Sequence, residues 1–287
     1  MSTNQSITIA VLGTGLIGAP VARNLHKQGF RVHAWNRTAA KAKALVADGI
    51  LAFDSPADAL RGADIIMTVL KDGPSIQEAL QAAAPALNKG VIWLQLSTVG
   101  IESIETLSAL AEQHGLVFYD APVQGTRQPA ELAQLIILAS GPLEQRAAAQ
   151  PVFDAIGKRT LWVSEQTGAS SRLKLALNNW AFALTHGLAE SLALAKGLGV
   201  DPALVVDVIT GGPMDSGYFQ AKAAAILAEN YTTSFSIVNA VKDARLVVDA
   251  AAQARVQVDA AQAGLQRFER ALEAGHGDKD MAASYLA

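Results

Sequence analysis

No cysteine occurs in the 287 residues, so neither a disulfide framework nor a thiolate metal site is available. Charged residues are sparse at 17%, and the 23 Lys and Arg nearly balance the 26 Asp and Glu. There is no basic block and no interleaving of basic with aromatic residues, which argues against a nucleic-acid partner. No polybasic helix marks a membrane surface, and no stretch approaches the roughly 20 continuous apolar residues of a membrane span. The five histidines (His26, His33, His114, His186 and His276) are scattered without ligand spacing such as HExxH, so no dedicated metal site is expected. The opening MSTNQSITIAVLG lacks the basic segment and long apolar core of a secretory leader, and the expectation is a cytoplasmic protein.

What remains is mostly apolar. Half of the chain, 51%, is hydrophobic, enough for a large core and too much for a disordered chain. The length exceeds one usual domain, so two are expected. Apolar, β-branched runs fall at residues 7–12, 31–35, 64–70, 91–96, 116–123, 133–139 and 159–163. Helical, Ala-rich segments separate most of them, at 16–28, 74–83, 101–113 and 142–156. Strands alternating with helices predict right-handed crossovers and a mainly parallel, doubly wound sheet. The runs are apolar throughout, as strands buried on both faces are.

The rhythm changes after Ser164. Residues 168–196 hold no proline and no strand-like run, which predicts one helix on the order of 40 Å long. Leu173, Leu177, Leu184, Leu188, Leu192 and Ala195 recur on one side, and Leu175, Phe182 and Ala183 make other faces apolar, so burial on several sides is expected. Helical segments follow at 202–210, 218–228, 237–253 and 258–274. The fold expected is α/β: a Rossmann-type domain over 1–165, then an all-α domain over 166–287 entered through the long helix.

Gly13-Thr14-Gly15-Leu16-Ile17-Gly18 follows the first strand and opens the first helix. Each glycine has a reason to be there. Gly13 makes a tight turn, Gly15 lets backbone approach a pyrophosphate, and Gly18 packs helix against strand. The helix end then holds phosphate through its N–H groups and dipole. At the end of the second strand an NAD enzyme places an acid for the ribose hydroxyls, but here the chain reads Asn36-Arg37-Thr38. A fixed cation with neutral donors suits a 2′-phosphate and points to NADP; the alternative is that Arg37 is only a surface residue at the next helix start.

Lys174 and Asn178 are four apart and share a helix face. Leu173, Leu175 and Leu177 flank the lysine, and no acid stands three or four residues away. Such a lysine is expected to be partly desolvated, the condition in which an ammonium gives up a proton readily. A lone helical lysine more often belongs to a solvated face, and Ser170, Ser171 and Arg172 fit that reading too; these residues leave both open.

Together these motifs resemble the β-hydroxyacid dehydrogenases, the family of 3-hydroxyisobutyrate dehydrogenase, over essentially the whole chain. Four segments match in order: the glycine loop; Asp120-Ala-Pro122-Val-Gln124-Gly125-Thr126; Gly168-Ala-Ser170-Ser-Arg-Leu-Lys174-Leu-Ala-Leu-Asn178; and Phe235 with Lys242-Asp243 and Gly275-His-Gly277-Asp-Lys-Asp280. Within the family, residues 125–131 and 134–139 look like those of the NADPH-linked glyoxylate and succinic semialdehyde reductases.

The resemblance implies a proton donor at Lys174 and its partner at Asn178. It implies cofactor contacts from Gly13, Thr14, Gly15, Leu16, Ile17, Gly18, Asn36, Arg37, Thr38, Leu70, Thr98 and Lys242. Substrate contacts are implied for Ser97, Thr98, Gln124, Gly125, Thr126 and Lys242, and the cofactor implied is NADP(H). The chain departs from the family pattern at Gln124, where serine is usual, at Ser170 for glycine, and at Leu177 for the first of two asparagines. The reaction expected is hydride transfer to a small aldehyde or keto acid. Rival expectations are an imine or non-acidic carbonyl reductase on the same scaffold and a non-catalytic NADPH-binding protein. Asp215, Ser216, Tyr218 and Lys222 are further candidates for lining the cleft, and a homodimer or tetramer through the helical domain is expected.

Overall fold

A computed structural model describes residues 7–287. The first six residues, on which the leader reading partly rests, lie outside the described residues. The chain forms two compact units that meet within one helix, the first ending at Lys174 and the second beginning at Leu175.

The first unit is built on a nine-stranded sheet: β1 (Thr8–Leu12), β2 (Arg31–Trp35), β3 (Leu51–Ala52), β4 (Ile65–Thr68), β5 (Ile92–Gln95), β6 (Val117–Asp120), β7 (Val123–Gln124), β8 (Leu135–Ser140) and β9 (Gly157–Ser164). Strand order is β3-β2-β1-β4-β5-β6-β8-β7, with β9 on β8. The first six strands pair in parallel, in the order that places a topological switch between β1 and β4. Helices α1 (Gly18–Lys27), α2 (Ala39–Lys43), α3 (Pro56–Leu60), α4 (Gly73–Ala82), α5 (Ile101–His114) and α7 (Arg146–Ile156) make the crossovers, and α6 (Arg127–Glu131) lies in the connection between the antiparallel β7 and β8. Both faces of the sheet are covered. Ile9, Val11, Ile65, Met67, Ile92 and Leu94 enter one core, while Ala10, Leu12, Ile66 and Trp93 enter the other. That two-residue alternation between two dry cores is why the strands read as unbroken apolar runs.

Two expectations need correcting here. The run at 116–123 is not one strand: β6 stops at Asp120 and β7 resumes at Val123, because Pro122 has no N–H to give a ladder. Asp120 pairs with Ser140 and Val123 with Ile137 in one continuous antiparallel register, and Leu138 N–H still bonds to Pro122 O at 2.9 Å. The first helix begins at Gly18 rather than at residue 16, because Gly15 to Ile17 form the turn into it.

The second unit contains most of α8 (Ala169–Gly197) and then α9 (Pro202–Ile209), α10 (Gly217–Leu227), α11 (Ile237–Ala254) and α12 (Asp259–Ala271). Asp201 caps α9 with Pro202 in its first turn, and Ser216 and Ser236 cap α10 and α11, as helix-start chemistry prefers. Phe182, Ile237, Val241, Phe268 and Met281 form its core. Burial of α8 on several sides is seen at Leu175, Phe182, Leu188, Ala189 and Leu192, while one apolar side remains open within the chain, with Trp180, Leu184 and Leu194 64%, 37% and 63% exposed. Among the described residues no helix is long and apolar enough to cross a membrane, and no group of three or more His, Asp or Glu side chains forms a metal site.

Candidate active site

The glycine loop leaves β1 with Gly13 at φ +105°, where a Cβ would lie 2.2 Å from Val69 O. A Cβ on Gly18 would lie 1.8 Å from Gly13 O, so the start of α1 packs directly on the loop. At Gly15 the opposite holds: a Cβ would meet nothing within 4 Å. Two glycines are therefore demanded by the protein's own packing, and the middle one faces open space at a helix start. Thr14 Oγ1 beside it is buried without a hydrogen-bond partner. A free backbone approach, a helix N-terminus and an unpartnered hydroxyl fit a dinucleotide pyrophosphate.

Asn36 ties the end of β2 to this loop. Its Oδ1 accepts from Thr14 N–H at 3.0 Å and its Nδ2 donates to Thr38 O at 3.2 Å. Arg37 and Thr38 are exposed. Leu70 and Ser97, expected on the cofactor and substrate sides, are joined: Leu70 N–H donates to Ser97 Oγ at 2.8 Å. The Gln95 side chain clamps Ser97 through both its N–H (2.6 Å) and its carbonyl (2.9 Å). Thr98 follows, half-buried, before α5.

The strand ends also cap the long helix. The chain enters α8 through Gly168 at φ +88°. Ser140 Oγ at the end of β8 accepts from Ser170 N–H at 3.2 Å, and Asp120 at the end of β6 accepts from Ser171 N–H and Oγ–H at 2.8 Å each. First-turn donors that lack a carbonyl within their own helix are thus satisfied by the sheet. Burial pushes the Asp120 carboxyl up to about 6, against the lowering effect of the Ser171 hydrogen bonds and the Arg172 charge. The reading of Ser170 and Ser171 as an exposed stretch fails, since both are buried; only Arg172 faces out.

One turn further on, Lys174 is 8% exposed, and its Nζ donates to Gln124 Oε1 at 2.9 Å. The lysine expected as proton donor and a residue that departs from the family pattern are in direct contact. Gly125 then turns the chain at φ +122°, with Thr126 leading into α6.

In the second unit, Asn178 is buried and its Nδ2 donates to Asp243 Oδ2 at 3.0 Å. Lys242 Nζ lies 2.5 Å from Asp243 Oδ1. The two residues expected from separate motifs meet on one buried carboxylate, and that carboxylate was not among the expected site residues. Its only signal was its place beside Lys242. Lys222, Tyr218, Ser216 and Asp215 each have partners within the chain, Ser216 capping α10. Lys222 pairs with Asp280 at 2.6 Å, Tyr218 shares a 2.6 Å hydrogen bond with Thr185, and Asp215 accepts from Gly211 N–H. Burial pushes the Tyr218 hydroxyl up to about 12.

Comparison with known proteins gives the family. Residues 8–164 match the family described as the NAD binding domain of 6-phosphogluconate dehydrogenase. Residues 168–287 match the family described as NAD-binding of NADP-dependent 3-hydroxyisobutyrate dehydrogenase. The chain is 30% identical to glyoxylate/succinic semialdehyde reductase 2 of Arabidopsis thaliana, over 97% of this chain and 78% of that protein. It is 31% identical to L-threonate dehydrogenase of Cupriavidus necator, over 96% of this chain and 94% of the relative. A 3-hydroxyisobutyrate dehydrogenase structure from Salmonella typhimurium superposes with a TM-score of 0.90 at 24% identity, covering 98% of this chain and 99% of that one. These matches define an oxidoreductase with an NAD(P)-binding Rossmann sheet and a helical C-terminal unit. The chain belongs to the β-hydroxyacid dehydrogenase family of 3-hydroxyisobutyrate dehydrogenase.

Proposed function

We propose that this chain is an NADPH-dependent reductase of small aldehyde or keto acids, such as glyoxylate or a semialdehyde. The observation that carries the reading is the buried Lys174 ammonium held by Gln124 at the ends of the sheet. When bound, a dihydronicotinamide supplies hydride to the carbonyl carbon. As negative charge grows on the carbonyl oxygen, Lys174 Nζ gives it a proton. Asn178, one helical turn on and tethered by Asp243, is the positioning partner. Gly13 to Gly18, with Leu70 and Thr98, would hold the dinucleotide, and Asn36, Arg37 and Thr38 would meet its 2′-phosphate. Ser97, Thr98, Gln124, Gly125 and Thr126 serve the substrate carboxylate, and Lys242 is a further active-site lysine.

An acid substrate is supported by the names of the two relatives above, since glyoxylate and L-threonate both carry a carboxylate beside the reacting carbon chain. NADP is supported by the family description over 168–287 and by the absence of an acid at Asn36-Arg37-Thr38. Residues 1–165 form the cofactor domain in this reading and residues 166–287 the helical one. The latter pairs with a second copy through the apolar side of α8 that carries Trp180, Leu184 and Leu194. The setting is the cytoplasm.

A spectrophotometric panel of NADPH and NADH against short aldehyde acids, neutral aldehydes and cyclic imines tests it. Wild type is expected to oxidise NADPH fastest with an aldehyde acid. Lys174→Ala is expected to bind NADPH normally and lose about 10²–10⁴-fold in kcat. Near-native turnover by Lys174→Ala removes the lysine from its role. A response confined to imines or neutral carbonyls selects the rival reductase on the same scaffold.

A further inference from the structure

An ammonium carries three N–H donors and no acceptor, so the carboxamide atom that faces Lys174 at 2.9 Å is the oxygen. The two amide N–H donors of Gln124 therefore face away from the lysine. The backbone around this side chain is held. Val123 and Gln124 pair with Ile137 and Ile136 of β8, and a Cβ on Gly125 would lie 2.9 Å from the Pro129 ring and 3.0 Å from Leu135. The Gln124 side chain is half-buried, so it can change rotamer on a fixed Cα.

An amide oxygen is chemically a carbonyl oxygen, and it sits on the group that the reductase reading assigns to a substrate carbonyl. We propose that Gln124 determines substrate selectivity in this chain. Its oxygen holds the Lys174 ammonium until a substrate carbonyl takes that hydrogen bond. Its amide N–H groups then favour carbonyl compounds with a second acceptor, a carboxylate above all, over those without one. A hydrogen bond to a charged acceptor is stronger than one to a neutral acceptor, which gives the preference its sign. A serine at this position offers one hydroxyl on a shorter arm; the longer amide couples recognition of the acid to release of the proton donor. The proposal rests on the reductase reading and adds to it the residue that sorts acids from neutral carbonyls.

Two substitutions of similar length separate the roles. Gln124→Met removes the acceptor and the donors, and Gln124→Glu puts a carboxylate against both the ammonium and an anionic substrate. The kcat/KM for glyoxylate relative to acetaldehyde, with NADPH, is expected to fall about 10-fold or more in Gln124→Met and about 100-fold in Gln124→Glu. A second readout needs no turnover: the rate at which acetic anhydride labels Lys174, followed across pH by peptide mass spectrometry. Labelling is expected to be faster than wild type in Gln124→Met and slower in Gln124→Glu, since a carboxylate stabilises the unreactive ammonium. A selectivity ratio within about twofold of wild type in both variants overturns the proposal. Equal labelling in all three proteins overturns the coupling of Gln124 to Lys174. If wild type reduces neither aldehyde, the reductase reading and the selectivity fall together, and the labelling still decides the hydrogen bond.

Discussion

Asp120 accepts two hydrogen bonds from Ser171, one from the backbone N–H and one from the hydroxyl, each 2.8 Å long. The pair joins the end of β6 to the first turn of α8, three residues before Lys174. Burial raises the Asp120 carboxyl from 3.8 to about 6, so the folded protein holds a proton there that the unfolded chain has already lost. Its contribution to stability is complete below 3.8 and disappears as pH rises through about 6, a change of roughly 3 kcal/mol. Asp120→Asn can keep both contacts, with its oxygen accepting from Ser171 N–H and its amide donating to the hydroxyl. That variant is expected to fold at pH 7 and to lack this pH dependence. Asp120→Ala orphans two buried donors at roughly 1–3 kcal/mol each. Urea unfolding from pH 4 to 7 separates the three proteins, and an alanine variant as stable as the asparagine one would sink the account.

Asn36 supplies the test of cofactor choice. Its Oδ1 already accepts from Thr14 N–H, and a carboxylate oxygen at the same place can do so too. Asn36→Asp therefore keeps the glycine loop tied to β2 while setting a negative charge near Arg37. NADPH affinity is expected to fall about 10- to 100-fold, the range of one charge-assisted hydrogen bond, with NADH unchanged or improved. Fluorescence titration with both dinucleotides measures it; equal weakening of both would point to a damaged loop instead.

How much of this was legible depended on where each signal lay. The glycine loop could be read because three positions in six residues each carry a separate steric reason, and Gly13 and Gly18 meet theirs in Val69 O and Gly13 O. Lys174 was different. Its neighbours fitted an exposed face equally well, and what distinguishes it is Gln124, fifty residues away in sequence. Asp120 and Asp243 were missed as partners for the same reason: they meet Ser171 and Asn178 at sequence separations of 51 and 65. Such contacts are made by strand order and helix packing, which no local pattern records. The apolar faces of α8 show the same limit. Trp180 and Leu194 show which face is apolar, and hydropathy alone does not say what covers it.

The Lys222–Asp280 pair is the most enclosed ion pair among the described residues, with side chains 8% and 4% exposed. Asp280 also accepts from Ser234 N–H and Oγ–H, Phe235 N–H and Ala282 N–H, so it pins the C-terminal segment to the loop before α11. Burial works to raise its pKa, but the Lys222 ammonium and these donors override it and hold the carboxyl below its ordinary value. Lys222→Met leaves a buried carboxylate without its counter-charge and is expected to cost about 3–5 kcal/mol. A loss under about 1 kcal/mol in urea unfolding at pH 7 would show that the backbone donors suffice without the lysine.

His186 gives the second unit an acid sensitivity opposite in sign to that of Asp120. Its ring is buried, packs 4.3 Å from the Phe268 ring, and has both nitrogens without hydrogen-bond partners. A Cβ on Gly264 would lie 2.6 Å from the ring, so the packing leaves no slack on that side. Burial first, and then the Arg267 and Arg270 charges, lower its pKa from 6.5 to about 4. The unfolded chain takes up a proton at 6.5 that the folded one refuses. His186 therefore contributes stability above pH 6.5 that is lost as pH falls through about 4, again roughly 3 kcal/mol. Over that interval Asp120 gains what His186 loses, so the wild type is expected to be nearly flat between pH 6 and 4 with respect to these two groups. His186→Leu should then gain stability toward acid and Asp120→Asn should lose it. Parallel urea titrations of the two variants and wild type at pH 4, 5 and 6 read the slopes; slopes of the same sign in both variants would overturn the assignment of at least one group.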